Sequence, residues 1–317
     1  MGNITVRNMF SVTEIPTSNG ILQFREEHLT GFRCRISPER LKRHIDQELY
    51  LNTDPGDCPF CPENILSVTP TFSDGNRIIR GESVTFPNLY PFGERHSVTV
   101  ITKKHFVETF SRGQVIDALS GQTEALLRAD GYPSINWNFL PSAGASLVHP
   151  HLQGISDHRP SLITERYFHA SKTYFNATRK NYWDVIRELE RESDRYLFGD
   201  EILWSAHSVP LGEREVRAIL PISTLTEFGS YLDSLADGIL KILALYRKLG
   251  TCAFNMAIFF DKAGNNNGFC AFCSFISRIN PNPSSTSDSA FMERLHMEPV
   301  ILTLPEDLGN YFRMEVR

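Results

Sequence analysis

Along the chain the hydrophobic period switches between two and three to four residues. Residues 97–102 (Ser-Val-Thr-Val-Ile-Thr) are β-branched after the first and follow a turn at Gly93, which predicts a strand. Val115, Ile116, Leu119, Leu126 and Leu127 then recur at helical spacing, and that segment closes at Gly131-Tyr132-Pro133. Two further strands are predicted over 134–139 and 147–154, with a Gly-containing loop between them. The unit reads strand, helix, strand, strand.

The same order recurs further on. Pro91-Phe92-Gly93-Glu94-Arg95, followed by Val98, Val100 and Ile101, is echoed by Pro210-Leu211-Gly212-Glu213-Arg214 with Val216, Ile219 and Leu220. Leu232, Leu235, Ile239, Ile242, Tyr246 and Leu249 mark one helical face, with Gly250 placed as a C-cap. Residues 254–259 (Phe-Asn-Met-Ala-Ile-Phe) then stand where 135–139 stood. The span from Gly93 to His149 nearly equals that from Gly212 to Cys270, so a Cys-x-x-Cys takes the place of a His-x-His. Such repetition predicts a duplicated α+β chain, each half an antiparallel sheet with packed helices, divided into residues 1–175 and 176–317. Tyr174 to Arg195 reads as a polar, helical boundary carrying Val185, Ile186 and Leu189, and 280–287 as a loop by composition.

A length of 317 residues accommodates such a duplication, and 41% hydrophobic with 22% charged residues is the balance of a globular chain. Thirty-two Lys and Arg against 37 Asp and Glu leave a net charge of −5, so the overall field does not gather nucleic acid. Any phosphate it binds is held by a local site. No run of about 18 apolar residues occurs, the N-terminus lacks the layout of a secretory signal, and Val6 stands where a myristoylation signal has Ser or Thr. The expectation is a cytoplasmic protein with no membrane and no nucleic-acid partner. Its 6 cysteines do not form a disulfide framework. Four of them pair as Cys58/Cys61 and Cys270/Cys273, a spacing that points to metal or redox chemistry.

On a strand, the His149-Pro150-His151 spacing puts two imidazoles on one face about 7 Å apart, where both can line one site. An imidazole held through one ring nitrogen can attack phosphorus with the other. Upstream, Ser142-Ala143-Gly144-Ala145-Ser146 offers backbone N–H groups and a hydroxyl, the makings of a phosphate cradle. The competing reading is a pair of surface or core histidines beside a loop. Cys58-Pro59-Phe60-Cys61 is half of a zinc site; His105 and His149 are the best-placed further ligands, with His96 third, and buried thiols or a redox pair are the alternatives. Cys270 and Cys273 lie among Phe269, Phe272 and Phe275 and are expected to act as core hydrophobes.

Taken together, these residues resemble the galactose-1-phosphate uridylyltransferase branch of the histidine-triad (HIT) superfamily. Ser37-Pro38-Glu39-Arg40-Leu41-Lys42-Arg43 is similar to its Ser-Pro-x-Arg-x-x-Arg segment. Cys58 and Cys61 match its zinc cysteines, His105 falls where a zinc histidine follows the strand, and Asn138, Gly144, Ser146, His149, His151 and Gln153 are in register with its signature. The resemblance implies a duplicated HIT-like fold and a zinc cofactor on Cys58, Cys61, His105 and His149. It further implies that His151 takes UMP or AMP from a nucleotide sugar and passes it to a sugar 1-phosphate, in a homodimer. Arg40, Arg43, Asn138, Gly144, Ser146 and Gln153 would bind the nucleotide, and Ser146 and Gln153 would assist His151. Gln153 stands where the hydrolases have a third His. A neutral amide cannot act as acid or base toward water, so a nucleotidyl-His151 would persist until a phosphorylated acceptor arrives.

The chain also departs from the branch. A second-half His-x-His that supports a further metal is replaced by Phe269-Cys270-Ala271-Phe272-Cys273, so no second metal is expected. Glu165, at the place of a metal-binding Glu, is expected as an exposed helix residue. Arg294-Leu295-His296-Met297-Glu298-Pro299 does not align with the branch's sugar-contacting segment, which leaves the hexose open and makes His296 and Glu298 a loop pair. Two other readings stand beside the transferase: a phosphorylase of nucleotide sugars or dinucleoside polyphosphates that uses inorganic phosphate, and a zinc-stabilised nucleotide-binding protein without turnover.

Overall fold

The computed structural model describes residues 9–17, 20–42, 54–265, 268–279 and 287–315. A hairpin of β1 (Phe10–Thr17) and β2 (Gly20–Glu27) is continued by β3 (Arg33–Ile36). Near the C-terminus β14 (Val300–Ile301) adds parallel to β3 and completes a four-stranded sheet.

A ten-stranded sheet forms the body of the molecule. After the short helix α1 (Ile65–Val68) come β4 (Ile78–Arg80), β5 (Ser83–Pro87) and β6 (Arg95–Val100), then helix α2 (Arg112–Leu127), then β7 (Tyr132–Phe139) and β8 (His151–Asp157). Helices α3 (Leu162–Thr178) and α4 (Tyr182–Arg191) follow. The second series is β9 (Tyr196–Phe198), β10 (Leu203–Ala206), β11 (Val216–Ile219), helix α5 (Leu232–Lys248), β12 (Phe254–Phe259) and β13 (Phe272–Ser277), with α6 (Pro305–Glu315) at the end. The strand order is β4-β5-β6-β8-β7-β12-β13-β11-β10-β9, antiparallel throughout. Outward from the central β7–β12 pair, both halves run fourth, fifth, third, second, first strand, with a helix between the third and fourth.

The two faces follow from period-two alternation. On β7, Ile135, Trp137 and Phe139 are buried, and Ser134, Asn136 and Asn138 face the other way. The apolar set meets α2 and α5, and Phe254 joins it across the centre, 5.0 Å from Trp137 and 5.3 Å from Phe139 between ring centroids. Helix α2 opens on a capping box of Ser111 and Gln114 and buries Val115, Leu119, Leu126 and the amide of Gln122. Gly154 on β8 makes that contact feasible, since a Cβ there would overlap the Gln122 amide. On the opposite face Tyr167 and Trp183 of α3 and α4 pack on Phe269 and Phe272 over the second half, and Ile65 of α1 with Phe60 packs on Val98 and Val100 over the first.

Several boundaries differ from the sequence reading. The expected strand over 97–102 runs from Arg95 to Val100, and the one over 147–154 begins only at His151, so His149 lies ahead of it. Pro150 has no N–H to give, so ahead of His151 only its carbonyl joins the ladder, accepting from the Ile101 N–H at 3.0 Å. The stretch from Tyr174 to Arg195, expected as a polar boundary, is a packed cover in which Tyr174, Tyr182, Trp183, Val185 and Ile186 are buried. The 175/176 division falls within α3. Residues 280–286 of the expected loop lie outside the described residues. Among the described residues no helix is long and apolar enough to cross a membrane.

Candidate active site and metal centre

The turn before α1 folds Cys58 and Cys61 together: the Cys61 N–H donates to the Cys58 carbonyl at 3.3 Å, and Asn64 Nδ2 donates to the same oxygen at 3.0 Å. His105, beyond β6, and His149, ahead of β8, complete a group whose four ligand atoms lie within 4.8 Å of one another. His149 Nδ1 is 3.7 Å from Cys58 Sγ and 3.6 Å from Cys61 Sγ, and His105 Nδ1 is 3.5 Å from Cys61 Sγ. Tetrahedral zinc with ordinary Zn–S and Zn–N bonds separates sulfur from nitrogen by about 3.6 Å, so these residues fit that ion. The His149 Nε2–H donates to the Thr102 carbonyl at 2.8 Å, which leaves Nδ1 as its ligand atom. Burial lowers the His149 pKa to about 4 and, with Cys58 beside it, raises that of Cys61 to about 11. All four donors come from protein, the closed set of a structural site. His96, the third candidate ligand, is elsewhere.

His151 opens β8 opposite Val100 and is 5% exposed. Its Nδ1–H donates to the His149 carbonyl at 2.8 Å, which puts the lone pair on Nε2. Burial holds its pKa below the usual imidazole value, so the ring is neutral near pH 7. Phe60, inside the Cys-x-x-Cys turn, meets both rings edge-on, at 5.2 Å from His151 and 6.2 Å from His149. The two histidines therefore serve adjacent sites rather than lining one.

Around His151 lies a row of amides. Gln153, next on the same face of β8, has Oε1 2.9 Å from His96 Nε2. Asn88 Nδ2 approaches that same nitrogen at 3.0 Å, so Nε2 is contested between an amide that donates and one that accepts. The Phe92 N–H points at Nδ1 from 3.4 Å, which favours the Nε2–H tautomer that donates to Gln153. On β7, Asn136 Nδ2 donates to Ser134 Oγ at 3.1 Å and to the Gln153 carbonyl at 3.3 Å. Asn138 Oδ1 accepts from Asn255 Nδ2 of β12 at 2.7 Å, and Asn255 Oδ1 accepts from Arg278 Nη1 at 2.7 Å. Sequence reading missed Asn255 and Arg278; their one signal is a polar residue within an apolar strand and a cation just after another.

Between β7 and β8 the loop begins with Leu140 at φ 73° and ψ 160°, a region ordinarily left to glycine, although Leu140 is buried. Its carbonyl takes the N–H groups of Ala143 and Ala145 at 3.0 and 3.2 Å. Gly144 turns left-handed at φ 82°, the conformation that favours glycine. Ser146 is exposed with no partner among the described residues, and the Ser142 hydroxyl is buried and unpartnered. Arg40 is exposed on the 3-10 turn Pro38–Lys42 and borders a cavity of about 550 Å³ together with Asn255, Arg278 and Phe291. Arg43 lies outside the described residues. Glu165 is exposed on α3, as expected. His296 and Glu298 do not form the expected pair: Glu298 accepts from Arg35 Nη2 at 3.1 Å, and His296 sits beside Phe291.

The equivalent place in the second half is closed. By strand register Phe272 stands where His151 does, facing Ile219, and Ser274 faces Arg217 where Gln153 faces Val98. Arg217 is buried and donates to Glu215 at 2.8 Å and to the Tyr167 hydroxyl, while Tyr167 in turn donates to Glu27 at 3.2 Å. His207 Nε2, 3.8 Å from Glu27 Oε1, has no hydrogen-bond partner. Cys273 points into the core, Cys270 is half-buried, and neither belongs to a metal-ligand group among the described residues.

No protein-family model matches the chain. A protein of undescribed function from Archaeoglobus fulgidus is 27% identical over 267 residues, 81% of this chain and 80% of that one. Among solved structures, an ADP-glucose phosphorylase from Arabidopsis thaliana superposes with a TM-score of 0.74 at 17% identity, over 92% of this chain and 98% of that one. A uridylyltransferase superposes with a TM-score of 0.68 at 17% identity, over 92% and 98%. The chain thus shares its mixed α+β fold with these uridylyltransferase-like structures.

Proposed function

We propose that the protein is a nucleotidyltransferase that carries a nucleoside monophosphate, UMP or AMP, on His151. One observation supports this most: the Nδ1–H of a neutral imidazole is committed to the His149 carbonyl, so Nε2 offers its lone pair beside a row of amides. In the first step Nε2 attacks the α-phosphorus of a nucleotide sugar. The N–P bond forms, the P–O bond to the sugar phosphate breaks, and a sugar 1-phosphate leaves with the electron pair. In the second, a phosphate oxygen of the acceptor attacks the same phosphorus, a P–O bond forms, and the N–P bond breaks to restore His151. Two inversions and ping-pong kinetics follow.

Gln153 would hold the phosphoryl oxygens without offering water a base, with Ser146, the backbone at Gly144 and the cations Arg40 and Arg43 as further contacts. Cys58, Cys61, His105 and His149 would hold zinc, which supplies a structural tie when bound. His149 belongs to both arrangements, since its ring faces the cysteines and its carbonyl fixes the His151 tautomer. We read the repeated strand order as a duplicated HIT-like unit divided between residues 175 and 176, and the working form as a cytoplasmic homodimer.

The test is intact-protein mass after brief incubation with UDP-sugars or ADP-sugars and no acceptor, beside His151→Ala. The expected result is a nucleotidyl adduct whose mass names the base and which the variant lacks. Chasing the adduct with a sugar 1-phosphate or with inorganic phosphate then distinguishes transferase from phosphorylase. No adduct from any donor, despite measurable nucleotide binding, would overturn the reading in favour of a binding protein.

A further inference from the structure

We propose that the second half of the chain sets the polarity of the Asn138 amide, through Arg278 and Asn255, so that its NH2 end is the one presented beside His151. This deepens the nucleotidyl-transfer reading and rests on it for the identity of the ligand, a phosphoryl group. A side-chain amide is two-faced: its N–H end attracts a phosphoryl oxygen and its carbonyl end repels one. Which end is offered matters as much as the presence of the residue.

Two groups of fixed character decide the orientation of Asn255. Arg278 only donates, and its Nη1 is 2.7 Å from Asn255 Oδ1. The Ala143 carbonyl only accepts, and it is 2.8 Å from Asn255 Nδ2. Both demand that Asn255 turn its NH2 toward Asn138, and the 2.7 Å contact then commits Asn138 Oδ1 as an acceptor. Asn138 Nδ2 is left with no partner among the described residues. It follows the Trp137–Leu152 pair by one residue, so the continued register puts Asn138 across from His151. Arg278 is itself anchored by an ion pair with Asp288, their side chains 16% and 18% exposed. Guanidinium, amide and amide thus form one chain of donors into acceptors, each dipole directing its positive end toward the phosphoryl site. Aligned hydrogen bonds of this kind reinforce one another and need no reorganisation as charge develops.

Asn255→Asp is the discriminating variant. A carboxylate at 255 still accepts from Arg278 but cannot donate to Asn138, which turns over and presents its oxygen. The expected rate of nucleotidyl-His151 formation in a single turnover falls by about 10²- to 10³-fold, the cost of losing such a donor, and falls further than for Asn255→Ala. On an Asn138→Ala background, Asn255→Asp is expected to cost far less than in the native protein, only what the lost bond to the Ala143 carbonyl is worth. A wild-type rate in Asn255→Asp, or an equal loss in both backgrounds, would overturn the proposal. A readout independent of turnover is solvent exchange of the Asn138 side-chain NH2, followed by NMR and assigned by its absence in Asn138→Ala. Fast exchange in the native protein and protection in Asn255→Asp are expected, and the reverse order counts against the relay. Absence of an adduct in the native protein would count against the transferase reading and leave this exchange test standing.

Discussion

The two halves of the large sheet use one strand order to opposite ends. In the first, the face bearing His151 and Gln153 is covered in part by the Cys58–Cys61 turn and α1, through Phe60 and Ile65 on Val98 and Val100, and carries amides beside them; in the second, the same face lies beneath α3 and α4 and is filled by Trp183, Tyr167 and Phe272. Val98 opposite Gln153 becomes Arg217 opposite Ser274. A backbone frame of this kind therefore does not dictate a site. What decides is whether the positions that face away from the core are left uncovered, and whether their polar groups are satisfied internally or kept for a ligand.

The paired cysteine motifs give the sharpest contrast. Cys58→Ser should abolish metal binding, taking metal analysis of the purified protein from about one ion per chain to near none, and should lower the unfolding midpoint, because a site left with three ligands no longer ties β8 to the knuckle. Cys270→Ser should leave the metal content unchanged. Retention of metal by the first variant, or its loss from the second, would erase the distinction between the halves.

Arg217→Met comes next in size. The guanidinium holds Glu215 and Tyr167 in a buried cluster, and removing one partner strands the others at a cost of about 3–5 kcal/mol in urea unfolding. Adding Glu215→Gln to that variant should recover part of the loss. A change below about 1 kcal/mol would mean that the cluster is solvated rather than sealed.

The smallest effect expected is a pH dependence at His207. Burial first, then Arg217 and Arg195, hold its pKa well below 6.5, although Glu27 is nearby. Below pH 6.5 the unfolded chain binds a proton there that the folded chain does not. Stability is therefore complete above that pH and declines as pH falls, by up to about 1.4 kcal/mol per pH unit. His207→Gln should flatten this slope between pH 7 and 5.5. Parallel slopes for the two proteins would show that His207 takes up its proton as readily in the fold as in the unfolded chain.

Local features were legible in the sequence and distant ones were not. The apolar spacing of α2, the strand of β7 and the Cys58/Cys61 pair each lie within about twenty residues, and the structure brings His105 and His149 to those cysteines. His149 lies ahead of its expected strand, where Pro150 joins the ladder through its carbonyl alone. Tyr174 to Arg195 carries enough charge to look like a boundary, yet Tyr174, Tyr182 and Trp183 turn inward. Asn255 meets Asn138 from 117 residues away, and Tyr167 meets Glu27 from 140, separations at which no periodicity can speak.

The central β7–β12 pairing also bears on how the molecule is made. As the nascent chain emerges, β7 and β8 can pair at once, while β12 arrives more than a hundred residues later. Throughout that interval an eight-residue strand rich in aromatic side chains has one edge with nothing to bond, the template most prone to recruit a strand from another chain. Long-range closure of this kind is slow, so the second series of strands acts as a delayed edge cover for the first. A chain ending before residue 254 would keep that edge bare and self-associate through it, and the first series of strands could not be produced as a well-behaved monomer by cutting the protein ahead of β12.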